Sequence, residues 1–268
     1  MQNTLEFPEL LRLIDEQSIA FRATVMSAPD LEQKVPTCPD WTLLGLAQHL
    51  GAVHTRWAGI VTAGPVDVPP GPSAPEIVAA APQEREALLA WSAAATQQFL
   101  AALREVGPDR GCWAWWDESQ SPLTTGAVAR HQVHEAVLHT YDAQFAVGAL
   151  QPVPDEVALD GVDEFLFTVS STTVAWPYEP AVIDVHATEG RSWRISLTAD
   201  GVRLTRLPAP DATTATAVGE SPDVAFASIS GTAAELLLML YDRTSIDTLT
   251  IDGDRRQLEL LRDWDPRE

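Results

Sequence analysis

The sequence predicts a multidomain α and α+β protein: a four-helix bundle followed by a small antiparallel-sheet α+β domain. Three observations point there. Apolar residues recur at helical spacing through four long segments before Gly148. From residue 181 the period falls to two, as in strands. The 268 residues exceed the usual size of one domain.

The first helix is read over Leu5–Met26, where Leu10, Leu13, Ile14, Phe21 and Val25 form one apolar face. A Pro- and Asp-rich turn from Ala28 to Asp40 comes next. Asp40 or Thr42 can cap a second helix that begins at Trp41 or Leu43 and runs through Val61. The stretch GPVDVPPGPSAP then breaks the chain into a surface loop. A third helix, Pro82–Val106, opens with Gln83, Glu84 and Glu86, which suit a positive helix N-terminus, and stops at Gly107 and Pro108. The fourth begins at Pro122 or Thr124 and runs to Val147, where Gly148 ends it.

A fifth helical segment, Asp155–Val174, carries Leu159, Val162, Phe165, Leu166 and Val169 and links the bundle to the second domain. Residues 181–188, 192–199 and 202–207 alternate as strands, with Asp200-Gly201 at a hairpin turn. Thr213–Val218 can add a strand, Ser221–Asp242 reads as helical, and 249–254 closes with a strand and turn. The domains are therefore expected at 1–175 and 176–268.

Composition narrows the function. Thirty-eight acidic against seventeen basic side chains give a net charge of −21, which repels phosphate backbones and argues against nucleic-acid or anionic-membrane partners. No apolar run of about 18 residues and no charged leader before an apolar stretch is present, so a cytoplasmic protein is expected. Cys38 and Cys112 are too few for a disulfide framework or a four-sulfur zinc site and are read as buried thiols. Nine tryptophans, including Trp57 and the run CWAWWDE at 112–118, supply either pocket walls or interhelical packing. A P-loop, a GxGxxG turn and a GxSxG elbow are all missing.

The fourth helix holds the densest chemistry, ARHQVHEAVLHTYDA at 129–143. Positions four apart share a helix face, so His131, Glu135 and His139 form one stripe while His134 points elsewhere. Glu135 and His139 can reach one ion from adjacent turns; the alternative is a solvated polar face. The HEAVLH segment has one residue more than the HExxH zinc motif. Bundles assemble metal sites from facing helices, and His49 on the second helix, amid Leu46, Ala47, Leu50 and Val53, would complete a two-histidine, one-carboxylate set. That set leaves a coordination position open. His54 lies about 140° round the helix from His49 and does not share its face. Asp142 either orients an imidazole or serves as a cap or ion-pair partner near the helix end.

These residues carry a resemblance. VPTCPDWTLLGLAQHLGAVHTRWAG at 35–59, HEAVLHTYDA at 134–143, DGVDEFL at 160–166 and SGTAAELLLMLYDR at 230–243 resemble the mycothiol-dependent maleylpyruvate isomerase family. The resemblance implies a DinB-like metal-binding bundle with a carboxy-terminal domain related in shape to sterol-carrier (SCP2-like) folds. It implies a divalent metal, with Zn2+ the first choice, on His49, Glu135 and His139, mycothiol as thiol cofactor, and Arg243 as a catalytic residue. The implied activity is cis–trans isomerisation of maleylpyruvate-like substrates, or thiol S-transfer to a small electrophile. His131 is either an added ligand or a rim residue. If it closes the shell, the protein is a metal-stabilised binding or regulatory protein instead; a metal-dependent hydrolase is a third reading.

Overall fold

The computed structural model describes residues 5–208 and 226–266. They form two compact units, one of Met1–Trp115 with Pro122–Val153, the other of Trp116–Ser121 with Pro154–Glu268.

The first unit is a bundle of four long helices: α1 (Phe7–Ser27), α2 (Leu43–Ala63), α4 (Arg85–Val106) and α5 (Thr125–Val147). The expected helices are all present, with ends shifted by a few residues. Their ends obey the local chemistry. Thr42 caps α2 by accepting from the Gly45 amide at 3.2 Å, and Thr124 caps α5 by accepting from Ala127 at 3.3 Å. Gly64, Gly107 and Gly148 stop α2, α4 and α5 with φ of 80°, 73° and 70°, a region that costs other residues energy. The loop expected after α2 holds one short helix, α3 (Ala74–Ala79), started by a capping box of Ser73 and Glu76. The turn expected before α2 is a small antiparallel hairpin, β1 (Lys34–Val35) and β2 (Cys38–Thr42).

Helices α1 and α2 each pack on α4 and α5. Phe21, Val25, Leu43, Leu46, Leu50 and Leu88 form a closed core with Val35 of the hairpin, and each such side chain is worth about 1.5–3 kcal/mol when removed from water. Core packing therefore anchors the hairpin to the bundle, beside α2 and α5.

The second unit holds α6 (Asp155–Phe165), continued by a π-turn over Leu166–Ser170, and a five-stranded sheet. Its strands are β3 (Ala181–Ala187), β4 (Ser192–Thr198), β5 (Gly201–Leu207), β6 (Ala227–Gly231) and β7 (Thr250–Gly253), in the order β5-β4-β3-β6-β7. It also holds α7 (Ala233–Leu240) and α8 (Arg255–Asp263). Inward residues alternate along the strands: Ile183 faces Ile195, and Val185 sits beside both Trp193 and Ile229. Gly201 begins β5 at φ 108°, and a Cβ there would lie 2.1 Å from the Thr172 carbonyl oxygen, so only glycine closes this hairpin.

Several expectations change here. The sheet is mixed, because β6 lies beside β3 and parallel to it while the other pairs are antiparallel. The helical reading of Ser221–Asp242 is corrected: Ala227–Gly231 is a strand, and α7 starts only after Thr232, whose capping box with Glu235 sets its first turn. The strand expected at Thr213–Val218 lies outside the described residues. The fifth helix ends at Phe165 and its π-turn at Ser170, short of Val174. The sequence reading separates the domains at 175/176, where the period changes, whereas the compact units part at Val153/Pro154 because α6 packs against α7.

Three acids of α6, Asp160, Asp163 and Glu164, are buried. Asp163 accepts the Trp193 indole N–H at 2.8 Å and a bidentate pair from Arg206 at 2.6 and 2.7 Å, which ties helix to sheet. The loop segment 116–121 belongs to this unit through Gln120. Its amide donates to Ser171 at 2.8 Å, and its side chain exchanges hydrogen bonds with the Leu204 backbone at 3.1 and 2.6 Å.

Candidate metal centre

Adjacent helices α2 and α5 bring His49, Glu135 and His139 together. One donor atom from each lies within 4.8 Å of the others. His49 Nε2 and His139 Nε2 both stand 3.5 Å from Glu135 Oε2. Donors held about 2.0–2.1 Å from one tetrahedral ion are about 3.4 Å apart, so the observed spacing suits a shared cation. Among the described residues this is the group of at least three histidine, cysteine or carboxylate donors with that geometry.

The buried carboxylate of Asp142 sets the orientation of His139. Its Oδ2 lies 2.9 Å from His139 Nδ1, which leaves Nε2 directed at Glu135. Burial by itself would depress the His139 pKa, but the hydrogen bonds to Asp142 and Glu135 outweigh it and raise the value to about 9. Burial likewise disfavours the Glu135 carboxylate, yet His139 and His49 hold its pKa well below the ordinary carboxylate range. Asp142 thus serves as the orienting partner, one of the two roles the sequence left open.

The hairpin supplies contacts that the sequence reading did not assign. Thr37 Oγ1 donates to Asp142 Oδ1 at 2.7 Å, and Cys38 Sγ lies 3.6 Å from Asp142 Oδ2. Trp41 packs its indole 4.5 Å from the His49 ring and 5.8 Å from that of His139, and the two imidazoles meet edge-on at 5.0 Å. No periodicity marks these residues; their side chains matter only because the hairpin folds onto α5.

His131, one turn before Glu135, is outside the converging group. It is buried edge-on against Trp115 at 5.6 Å. Three protein donors leave a four-coordinate ion one position for an outside ligand. His134 is buried elsewhere on α5.

His54 is a core residue stacked on Phe99 at 5.5 Å. Thr96 Oγ1 donates to the Ser92 carbonyl at 3.0 Å, so it accepts from His54 Nδ1 at 3.1 Å and fixes the neutral tautomer. Burial pushes the His54 pKa down to about 3.

Cys38 and Cys112 are not joined in a disulfide. Burial raises the Cys112 thiol to about 11, which removes it as a nucleophile at neutral pH. Cys38 is only half-buried, contrary to the buried reading, because its strand lies over the bundle rather than within it. Of the tryptophans, Trp57 is buried near Trp113 at 6.3 Å and serves packing, while Trp115 remains partly exposed.

Arg243 belongs to the second unit. It directly succeeds α7, where Asp242 adopts a left-handed φ of 59° and the amides of Asp242 and Arg243 bond back to Met239 and Leu238 at 3.0 and 2.7 Å. This pattern ends a helix firmly and fixes the backbone from which the guanidinium extends. Its Nη1 donates to the Tyr241 carbonyl at 2.6 Å, and the Tyr241 hydroxyl donates to Glu164 at 3.2 Å.

Residues 11–144 match the family model described as the mycothiol maleylpyruvate isomerase N-terminal domain, and residues 156–260 that described as the MDMPI C-terminal domain. No curated protein matches the chain. Solved structures do match, among them these two. The crystal structure of the mycothiol-dependent maleylpyruvate isomerase aligns with TM-score 0.58 and 15% identity, covering 93% of this chain and 95% of that one. A histidine-to-alanine mutant of it aligns with TM-score 0.59 and 14% identity over the same shares. Identity this low makes the likeness one of fold.

Proposed function

The chain belongs to the mycothiol maleylpyruvate isomerase family, and from that premise we propose that it is a metal-dependent enzyme that activates mycothiol. The observation carrying this reading is the convergence of His49, Glu135 and His139, with His131 outside the set. Two imidazoles and a carboxylate suit Zn2+. When bound, the ion would supply Lewis acidity that keeps a coordinated thiol as thiolate, a reversible nucleophile for a conjugated double bond or another electrophile.

The protein's part is to shape this chemistry. Asp142 holds the His139 tautomer that presents Nε2, and Glu135 gives a charged oxygen between the two imidazoles. Trp41 packs an apolar ring against both histidines and limits the approach of water on its side. Arg243 is assigned to a substrate carboxylate, or to the negative charge that develops next to it, by the match of its position to the family's arginine. Substrates are accordingly small unsaturated acids of the maleylpyruvate type, with S-transfer to electrophiles as the related outcome. A cytoplasmic setting fits, since the cytoplasm keeps thiols reduced.

The structural-metal alternative needs a closed four-ligand shell, and the converging group supplies three donors. A hydrolase would need Glu135 or Asp142 as base, whereas one Glu135 oxygen stands between both imidazoles and the Asp142 carboxylate is bonded to His139 and Thr37.

The test is titration of the cobalt-substituted protein with mycothiol. A sulfur-to-metal charge-transfer band with one ion per chain, together with isomerisation of maleylpyruvate, is expected. An ion that binds but shows no sulfur band would overturn the thiol reading and favour a closed structural site.

A further inference from the structure

We propose that Thr37 and Cys38 are positioning residues for the metal centre, acting through Asp142 on His139. This rests on the proposed metal centre and extends it to a segment that supplies no ligand.

The observations are geometric. Asp142 is wholly buried, so its carboxylate has no solvent shell to hold it in place. One oxygen, Oδ1, receives the Thr37 hydroxyl at 2.7 Å. The other, Oδ2, faces both the Cys38 thiol at 3.6 Å and His139 Nδ1 at 2.9 Å. A carboxylate tethered at one oxygen can swing about its Cβ–Cγ bond; donors on both oxygens fix its plane. That plane decides where Oδ2 meets Nδ1, and so how the His139 ring turns and where Nε2 points.

Each donor also has a distinct chemical consequence. The Thr37 hydroxyl makes a short, charge-assisted bond to the oxygen that His139 does not use, so it locks the group without competing for the shared atom. A thiol is a weak donor, and at 3.6 Å Cys38 shares Oδ2 with His139 while leaving most of its basicity to the imidazole. The half-buried Cys38 of a metal and thiol enzyme is therefore assigned to orientation, not to nucleophilic attack. Trp41, on the same strand, packs against both imidazoles. The hairpin thus clips the α5 side of the centre from a place about a hundred residues away in sequence, with a separation of 105 for Thr37 and Asp142.

The experiment is a Zn2+ and Co2+ affinity measurement by competition with a chromophoric chelator, on wild type, T37V, C38A and their conservative partners T37S and C38S. Loss of the charge-assisted bond in T37V is expected to weaken affinity roughly tenfold or more, and C38A about threefold. T37S and C38S should restore most of it. The discriminating arm repeats T37V and C38A in a D142N background. There they should have no further effect on affinity, because the path through the carboxylate is already broken. Urea unfolding of the chelated protein accompanies each variant, since a purely structural role would move stability and leave the cycle additive. Unchanged affinity in T37V and C38A, or additive losses in D142N, would overturn the proposal while leaving the metal centre intact. A wild-type protein that takes up neither ion would overturn the metal-centre reading, and the proposal with it.

Discussion

Acid should weaken the bundle through one residue, His54. This imidazole is buried in its neutral form, with Nδ1 bonded to Thr96, and its Nε2 has no hydrogen-bond partner among the described residues. Its pKa is about 3 in the fold, against 6.5 when unburied. A depressed value means that the unfolded chain binds the proton first. The stabilisation is therefore complete above pH 6.5 and is lost as pH falls towards 3. Each pKa unit corresponds to about 1.4 kcal/mol, so lowering the pH from roughly 7.5 to 5 removes about 2 kcal/mol. In a domain of this size that is roughly 4–8 °C of Tm. The carboxylates are still largely ionised in that window, but His139, with its raised pKa, contributes with the opposite sign. A comparison with His54→Asn cancels it. The Asn amide keeps a donor for Thr96 but does not titrate, so H54N is less stable at neutral pH through loss of stacking on Phe99. The gap between wild type and H54N should narrow by about 2 kcal/mol on acidification. Thermal unfolding of both chelated proteins, tracked by far-UV circular dichroism, measures it. A gap that stays constant or widens as pH falls would refute the assignment of His54 as a buried neutral imidazole.

Other outcomes concern the site and the packing. His49→Ala removes a ligand and should lower Zn2+ affinity by more than the roughly 10–100-fold typical of an orienting partner, whereas Asp142→Asn should fall within that range; competition titration separates the two. Arg243→Ala should slow maleylpyruvate turnover by about 10²–10³ while metal content, read by elemental analysis, stays at the wild-type level. Gly51→Ala would place a Cβ 2.3 Å from the Trp91 ring, and overpacking of this kind costs about 1–3 kcal/mol, visible as a lower urea midpoint with unchanged slope.

Helices α2 and α5 were legible in the sequence because three independent signals agree on them: apolar period, Thr caps and glycine stops. The centre was legible for a related reason, since Glu135 and His139 are neighbours by helix geometry and a bundle brings a facing histidine within reach. The contacts of Thr37 and Cys38 with Asp142, and of Trp41 with His139, were not, because contacts across about a hundred residues leave no local pattern. Strand β6 was hidden for another reason. It is only five residues long and runs directly into the capping box at Thr232, so the apolar run of α7 draws a period-based reading back across it. A stricter reading of Thr232 and Glu235 as a helix start would have found the boundary. The buried acids of α6 also run against composition, which assigns charge to the surface; Asp163 is retained inside by Arg206 and Trp193, both distant in sequence.

Gln120 carries a consequence for how the protein is made. Its side chain bonds to a backbone 84 residues further on, in a strand not yet synthesised when the loop between α4 and α5 leaves the ribosome. At about 5–20 residues per second, that loop waits roughly 4–17 s for its partner. All four long helices have emerged by then, yet the connection between the last two still lacks its final contacts. Biogenesis is thus interleaved, with an early segment finished by a late one, and a ribosome stalled with Val153 just outside its exit tunnel would display helices whose joining loop is left unfinished.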